Sequence, residues 1–557
     1  MMCRLRRILA ALLCAGWLIL LMPISAFAAE GELGNGVQWS FDSTSGTLTI
    51  TGNGDMPHFA YYNEYPWDAY IDQITKVCIA DGITSVGNDT FYKHEALETV
   101  QFPDGLLTIG EGAFKYCDKL TDLTLPESLK TIEDEAFYGC HTLSKIIIPN
   151  AVTYIGDCAF ASGPDTDPES ELYIPASVTK IDTSAFVDRK FAKVCVDKGN
   201  PNYYTDEYGV LFGREQAELI LSPMEMSGIY VVPEGTRVIR YCAFARTNST
   251  IEEVVLPSSL RTIDDYAFSS SRIRRIKIPD TVESLGKGAF FLCMGLDEII
   301  LPSTITHIPE ALFFSAYLHN IDIPESVVSI GDNAFSHTSL EAVFIPKNVE
   351  QISDSAFYSC GEKLTFHVDP ENPYYCTTER GMLMSKADSS LVVAPEGVEG
   401  ILVVSPSIKK IESLAFYGSS LSVIAINSDT FSIGGSSFQY SKLQKIYLGK
   451  GLSFIDGDDY NNPFDDCEQL TDIYYGGSEE DWVRIQAEDL KEFPENVKIH
   501  YNVSYSEFRS RVDMPQIKEN TTAETIWPIV IIGCAVAIPG IYLWIVKHKG
   551  KNQKEGA

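Results

Sequence analysis

Cysteines and carboxylates recur at fixed distances from one aromatic residue. Cys117, Cys140, Cys293, Cys360 and Cys467 each follow a Phe by three positions, and Cys158 and Cys242 each precede one by two. Thiols so placed could bridge, bind metal or attack substrates. No C-x-x-C pair occurs, which disfavours zinc ribbons and thioredoxin-type chemistry. One repeated position implies one repeated, inward environment, so free buried thiols are expected; Cys117 and Cys140, in adjacent repeats, are the one pair of that row close enough to bridge. Glu111, Asp134, Asp157, Asp265, Asp332 and Asp354 each stand three before a Phe. Stacked about 5 Å apart, they could line a calcium row. The plainer expectation is that each caps the short helical turn carrying Ala-Phe. "SVTK" (177–180) fits the S-x-x-K pattern of acyl-transfer enzymes, but "SSLR" (258–261) fills the same slot with Ser258 and Arg261, which makes it a turn. None of the nine His lies in an H-E-x-x-H, and G-x-S-x-G and P-loop patterns are lacking. Carboxylates spread over a convex surface give no closed pocket that would raise a catalytic pKa. The sequence therefore predicts no enzyme, no cofactor and no metal ligand set. Surface aromatics remain: Tyr203 and Tyr204, with Tyr374 and Tyr375, are the candidate binding residues, because loops on a rigid scaffold often bind and Tyr favours interfaces.

The elements that position these groups follow from the Phe register: Phe91, Phe114, Phe137, Phe160, Phe186, Phe244, Phe268, Phe290, Phe313, Phe335, Phe357, Phe416, Phe438 and Phe464. Most steps are 22 to 24 residues, an interval within the leucine-rich-repeat range. A unit reads L-x-x-I-x-[IL]-P-x-x-[VL]-x-x-I-x-x-x-A-F-x-x-C. "LSKIIIP" (143–149) alternates and is β-branched, so it predicts a short strand that Pro149 stops. One coil cannot bury its apolar face; stacked coils can. The fold class is thus mainly β: a leucine-rich-repeat solenoid of stacked parallel strands over residues 76–475.

Two steps are long, Phe186 to Phe244 and Phe357 to Phe416, and their excess pieces match. "NPNYYTDEYGVLF" and "ELILSP" (200–223) parallel "NPYYCTTERGMLM" and "LVVAP" (372–395), and each predicts a β-hairpin insert, about 197–232 and 369–404. Residues 30–75 predict an N-terminal β cap whose core holds Phe59, Tyr61, Tyr62, Tyr65 and Trp67. Residues 476–501 predict a C-terminal cap, with Ser478 and Asp481 at capping-box spacing. The unit "IPESVVSIGDNAF" (323–335), the opening "GTLTITGNGDMP" and the ending "YYGGSEEDW" resemble the BspA-like leucine-rich-repeat surface proteins over roughly 37–501. That resemblance implies adhesion to host or neighbouring-cell proteins, without catalytic residues. Leu312 and Ser437, each in place of the repeat's Ala, depart from the pattern in single units, and a small insertion precedes Phe464.

The ends and the charge bear on location. Residues 1–29 carry Arg4, Arg6 and Arg7, an apolar run and Ala26-Phe27-Ala28, which reads as a secretory signal peptide. Ile526–Val546 is uncharged, long enough as a helix to span the hydrocarbon, and followed by Lys547, Lys549, Lys551 and Lys554. Residues 502–525 then form a stalk, 526–546 a transmembrane helix and 547–557 a cytoplasmic tail. A single-pass protein of the cell membrane is expected, its ectodomain outside. The net charge of −33 makes nucleic-acid partners improbable. Extracellular proteins are the expected partners, with glycans or the cell envelope as the alternative.

Overall fold

The computed structural model describes residues 28–512 apart from 60–64, 122, 144, 163–170, 190, 216, 225, 247–249, 427–428, 458–460 and 486–496. Most of the signal peptide, residues 513–525 of the stalk, the membrane segment 526–546 and the tail lie outside the described residues. Among the described residues no helix is long and apolar enough to cross a membrane. The chain divides into two compact units, Met1–Met226 with Ile239–Asn248, and Ser227–Val238 with Ser249–Ala557.

In the first unit the chain opens with antiparallel strands Ala28–Gly34, Val37–Asp42 and Thr47–Thr51. Asp42 holds the second turn, accepting from Thr44 N–H at 2.9 Å and Ser45 Oγ at 2.8 Å. The third strand then pairs parallel with Lys76–Ile79, setting Leu48 beside Val77 and Ile50 beside Ile79. The switch from antiparallel to parallel converts a hairpin into the first rung of a solenoid. Trp39, Tyr65 and Trp67 are buried beneath it, and Phe59 packs partly buried against them.

Successive coils then build two narrow parallel ladders. One is the strand before the Pro: Lys145–Ile147, Glu171–Ile174 and Lys193–Val196 pair in register. The other follows the Pro and is two residues wide, Thr131–Ile132, Tyr154–Ile155 and Lys180–Ile181. Between them the Pro carbonyl accepts from the N–H three residues on, as Pro149 does from Val152 at 3.1 Å. Pro therefore ends the strand and starts a turn.

A third ladder runs through the corner that carries Ala-Phe. In successive coils the N–H of Phe91, Phe114, Phe137 and Phe160 donates forward to the carbonyl of Ala113, Ala136, Ala159 and Ala185, each at 2.8 Å. The positions two before and two after do the same: Glu135 donates to Asp157 and Gly139 to Ala161. Those flanking positions hold the left-handed backbone, at φ 55 for Glu135, 62 for Tyr116 and 76 for Gly139. Alternating left- and right-handed residues turn every second N–H to one side. The conformation costs a non-glycine residue roughly 1–2 kcal/mol, offset by about 1 kcal/mol per hydrogen bond and by ring burial worth roughly 1.5–3 kcal/mol. Cys158 and Cys242 occupy this flanking position at φ 51 and 54 and are only half-buried. The expectation of an inward thiol there is corrected: neither is enclosed as the thiols three after the Phe are.

The second unit repeats the pattern. Phe268 and Phe290 stack with centroids 5.2 Å apart, Phe335 and Phe357 at 5.1 Å, and Phe416 and Phe438 at 5.3 Å. Phe438 donates to the carbonyl of Pro463 at 2.8 Å, whereas the N–H of Phe464 is met by its own coil's Asn462 Oδ1 at 3.0 Å. Leu312 and Ser437 sit in the Ala slot fully buried, their carbonyls receiving Phe290 and Phe416. At the C-terminal end, strand Asp472–Tyr475, helix α1 (Glu479–Ile485) and strand Lys498–His500 follow in order. Ser478 and Asp481 exchange side-chain-to-backbone bonds, 3.2 and 3.1 Å, at the start of α1.

Residues 502–512, expected as the beginning of a stalk, fold back instead. Helix α2 (Tyr505–Arg511) has a capping box between Ser504 and Glu507, and its Phe508 is fully buried. The Phe508 ring stacks on Tyr447 at 5.3 Å and tilts on Tyr474 at 5.2 Å. A seven-residue helix is too short to persist unaided; the outward face of strands Lys445–Leu448 and Asp472–Tyr475 holds it.

Candidate functional site

The two inserts are built alike, and both hold more than a hairpin. In the first, Tyr203–Thr205, Leu211–Gly213 and Glu218–Leu221 form three antiparallel strands. In the second, Tyr375–Thr377, Leu383–Ser385 and Ser390–Val393 do so. Ser222 and Ala394 then donate to the carbonyls of Ala243 and Ala415, as the register Phe does elsewhere. The insert thus rejoins the repeat as a variant coil.

Asn200 and Asn372 begin these inserts. Each is buried, and each amide donates to two carbonyls of the preceding coil: Pro175 at 2.7 Å and Val178 at 3.1 Å, or Pro346 at 2.7 Å and Val349 at 3.1 Å. Their Oδ1 atoms accept from the N–H of Tyr203 and Tyr375 at 2.8 Å. Both Tyr rings turn inward. The hydroxyl of Tyr203 accepts from Ile181 N–H at 2.8 Å, and that of Tyr375 from Ile352 N–H at 2.9 Å. A phenol oxygen stands where the next strand's carbonyl would be, so two of the four candidate tyrosines close a sheet edge. Tyr204 lies against Phe212 at 5.1 Å with Arg214 over its ring at 4.6 Å. Tyr374 is exposed. A ligand could reach Tyr204 and Tyr374; the hydroxyls of Tyr203 and Tyr375 are committed to the backbone.

The slot three after the Phe is buried at each described position. Cys117 Sγ donates to Phe91 O at 3.2 Å, and Cys140, Cys293 and Cys360 donate to Phe114, Phe268 and Phe335 at 3.1 Å. Cys467 does so to Phe438 at 2.9 Å. All ten described cysteines are free thiols. Burial pushes Cys293 and Cys360 up to about 12 and Cys467 to about 11. Protonated, enclosed thiols do not attack substrates. The same slot holds His94 and Arg189, which the cysteine pattern conceals. Arg189 is buried, its guanidinium bonded to the carbonyls of Cys140 and Leu143.

Four of the carboxylates before the Phe, Asp134, Asp157, Asp265 and Asp332, reach across coils. Asp134 Oδ1 accepts from Asp157 N–H at 2.8 Å, Asp157 from Ser184 N–H at 3.1 Å, and Asp265 from Lys287 N–H at 2.7 Å. Among the described residues no three His, Cys, Asp or Glu side chains converge as metal ligands. Asp354 is the outlier. Burial, then the nearby Glu412 carboxylate, push it up to about 6, against Lys410, which pairs with Glu412 at 2.5 Å. At the matching place in the first unit Glu218 and Arg240 pair at 2.6 Å, and Arg240 also reaches Thr183 at 3.2 Å. In "SVTK" Lys180 pairs with Asp182 at 2.8 Å and lies over Tyr154; the Lys serves the solenoid wall.

Outward-facing apolar residues stand out on the strand faces, among them Ile147, Ile229, Val231, Ile300 and Phe344. A shallow, open depression lies between Arg261, Glu283, Ser284, Thr306 and His307.

The sequence pattern of the BspA-type leucine-rich-repeat region, in six copies, matches residues 69–192, 237–363 and 401–482. No curated protein matches. Twelve solved chains do. One is a leucine-rich repeat protein from Eubacterium ventriosum: 21% identity, TM-score 0.51, covering 64% of this chain and 99% of that one. Another is a leucine rich cell surface protein from Faecalibacterium prausnitzii: 22% identity, TM-score 0.37, covering 83% of this chain and 98% of that one.

Proposed function

From the premise that the chain belongs to the BspA-type leucine-rich-repeat family, we propose that it is a membrane-anchored cell-surface protein that binds other proteins and mediates adhesion to host or neighbouring cells. It is not an enzyme in this reading. The observation that carries it is the strand face: solvent-exposed Ile229, Val231, Ile300 and Phe344 stand among charged neighbours on regularly paired strands. Such a surface offers contact area with little ordering cost. The signal peptide, the membrane helix and a location outside the cell belong to the same proposal. The test is a binding screen with the purified full-length chain in mild detergent, against extracellular proteins and against glycans, paired with protease shaving of intact cells. Saturable protein binding and loss of the repeats on shaving are expected. Turnover of a peptide or glycan would overturn the reading.

A glycan-binding alternative draws on a row of surface rings in the second unit. Phe291 and Phe314 stack at 5.1 Å, Phe314 meets His337 at 5.0 Å, and His337 meets Tyr358 at 4.8 Å. Tyr417 and Tyr440 extend it at 5.2 and 5.4 Å. Sugar rings stack on such rows. Saturable binding in the glycan arm alone would favour it.

A further inference from the structure

The second unit contains the same sheet corner twice. After the first insert, Ser227–Val231 pairs parallel with Thr250–Val255; after the second, Gly400–Val403 pairs with Leu421–Ile426. Both pairings skip one residue at the same place, so Ile229, Val231, Glu253 and Val255 correspond to Ile401, Val403, Val423 and Ala425. The later corner is covered. Val423 and Ala425 are 9% and 0% exposed in a cluster with Phe508 of α2 and Val503, and Ile401 and Val403 pack against it. The earlier corner is bare: Ile229, Val231 and Val255 are 54%, 59% and 38% exposed.

We propose that this bare corner docks a short, basic amphipathic helix of a partner protein, as the later corner holds α2. This deepens the protein-binding reading and rests on it. The occupant is argued from the covered copy and from charge. α2 presents Phe508 and Tyr505 to the sheet and ends in Arg509 and Arg511. Arg511 lies over the Tyr474 ring at 5.8 Å. The bare corner differs from the covered one by two acids, Glu252 and Glu253 in place of Ser422 and Val423, and on the two adjoining strands by Lys277 and Ile300 in place of Tyr447 and Tyr474. Glu253 meets Arg275 only at 3.9 Å, with both side chains more than a third exposed. A helix with an apolar ridge and cationic flank satisfies the apolar residues and those acids together; an acidic or neutral one leaves the acids opposed or desolvated.

The probe is a fluorescent peptide of residues 502–512, titrated onto the purified full-length chain. Saturable binding is expected, weakened at least tenfold by Val231→Asp with Val255→Asp and unchanged by Phe454→Asp, an exposed residue of the ladder that follows the Pro. Exchanging both Arg of the peptide for Glu is expected to abolish it. Thermal melts check that the variants fold; should the double variant not fold, a photo-crosslinker at the Phe of the peptide is expected to label 227–255 in the unmodified chain. Undiminished binding to the folded double variant, no binding at millimolar peptide, or labelling confined to 423–474 overturns the proposal. So does a dimer that Val231→Asp dissociates, because a second copy then covers the corner. If the peptide fails while the chain still captures extracellular proteins, only the helix assignment falls; capture of no protein removes the broader reading.

Discussion

The indole N–H of Trp67 donates to Nε2 of His94 at 2.9 Å in a fully buried contact. His94 Nδ1 lies 3.3 Å from the carbonyl of Tyr92, which fixes the neutral tautomer with its proton on Nδ1. The pair joins the N-terminal cap to the first coil, in the slot that Cys117 and Cys140 fill farther on. Burial holds His94 down to about 4.

An acid-sensitive cap follows. A histidine whose folded pKa lies below its unfolded value leaves the unfolded chain binding more protons in acid. Its contribution is complete above about pH 6.5 and is lost as pH falls towards 4. His94→Cys, the residue usual in the slot, leaves Trp67 Nε1 unpaired and should cost about 1–3 kcal/mol at pH 7.5. Denaturant titrations of both proteins from pH 7.5 to 4 are expected to converge as pH falls. A constant gap across that range contradicts the assignment.

Asp354 works in the opposite sense. Its folded pKa lies above the ordinary carboxylate value, so the folded chain holds the extra proton. The group favours folding below about pH 4 and opposes it increasingly as pH rises through about 6. Asp332, Asp388 and Glu412 face it, with Lys410 the opposing cation. Asp354→Asn should raise the melting temperature at pH 7.5 and leave it nearly unchanged at pH 4. A melting temperature at pH 7.5 equal to that of the unmodified chain would refute the charge crowding.

The tyrosines separate by role. Tyr203→Phe and Tyr375→Phe each strand a buried N–H, that of Ile181 or Ile352, and should cost about 1–3 kcal/mol. Tyr374→Phe leaves an exposed ring in place and should change stability by less than about 0.5 kcal/mol. Urea titration of the three variants checks this ranking; equal effects would contradict it.

Thiol chemistry should follow burial. Cys117, Cys140, Cys293, Cys360 and Cys467 donate to carbonyls from a closed interior, whereas Cys78 and Cys195 are half-buried. Alkylation of the native chain at pH 8, read by peptide mass spectrometry, should label Cys78 and Cys195 within minutes. The five buried thiols should react only as fast as the chain opens. Prompt labelling of Cys293 would show that the interior is open.

The spacing of the register Phe carried the architecture, because a periodic signal survives any single deviant residue. Phe137 and Phe160 stand 5.3 Å apart and 6° from parallel, as stacked coils require. Leu312 and Ser437 broke the pattern without breaking the stack. What failed to register was context. The Asn-Pro-Tyr pieces were legible as inserts, but that Tyr203 and Tyr375 point inward depends on a free N–H one coil away. Phe508 lies in a short polar stretch and acquires meaning only from Tyr447 and Tyr474. His94 and Arg189 share the cysteine slot, yet differ from it in chemistry, so a search by residue type passes over them.

The hydrogen bonds of the register Phe point one way: Phe91, Phe114, Phe137 and Phe160, like Phe268, Phe290, Phe313, Phe335, Phe416 and Phe438, each give the N–H to a carbonyl of the coil after. The array therefore has a grammar. A new unit copied in head to tail finds acceptors and donors already waiting, and an inverted or truncated one finds neither. Lengthening by tandem gene duplication is easy along such a chain, and where the pattern lapses a side chain can stand in, as Asn462 does for Phe464 from within its own coil.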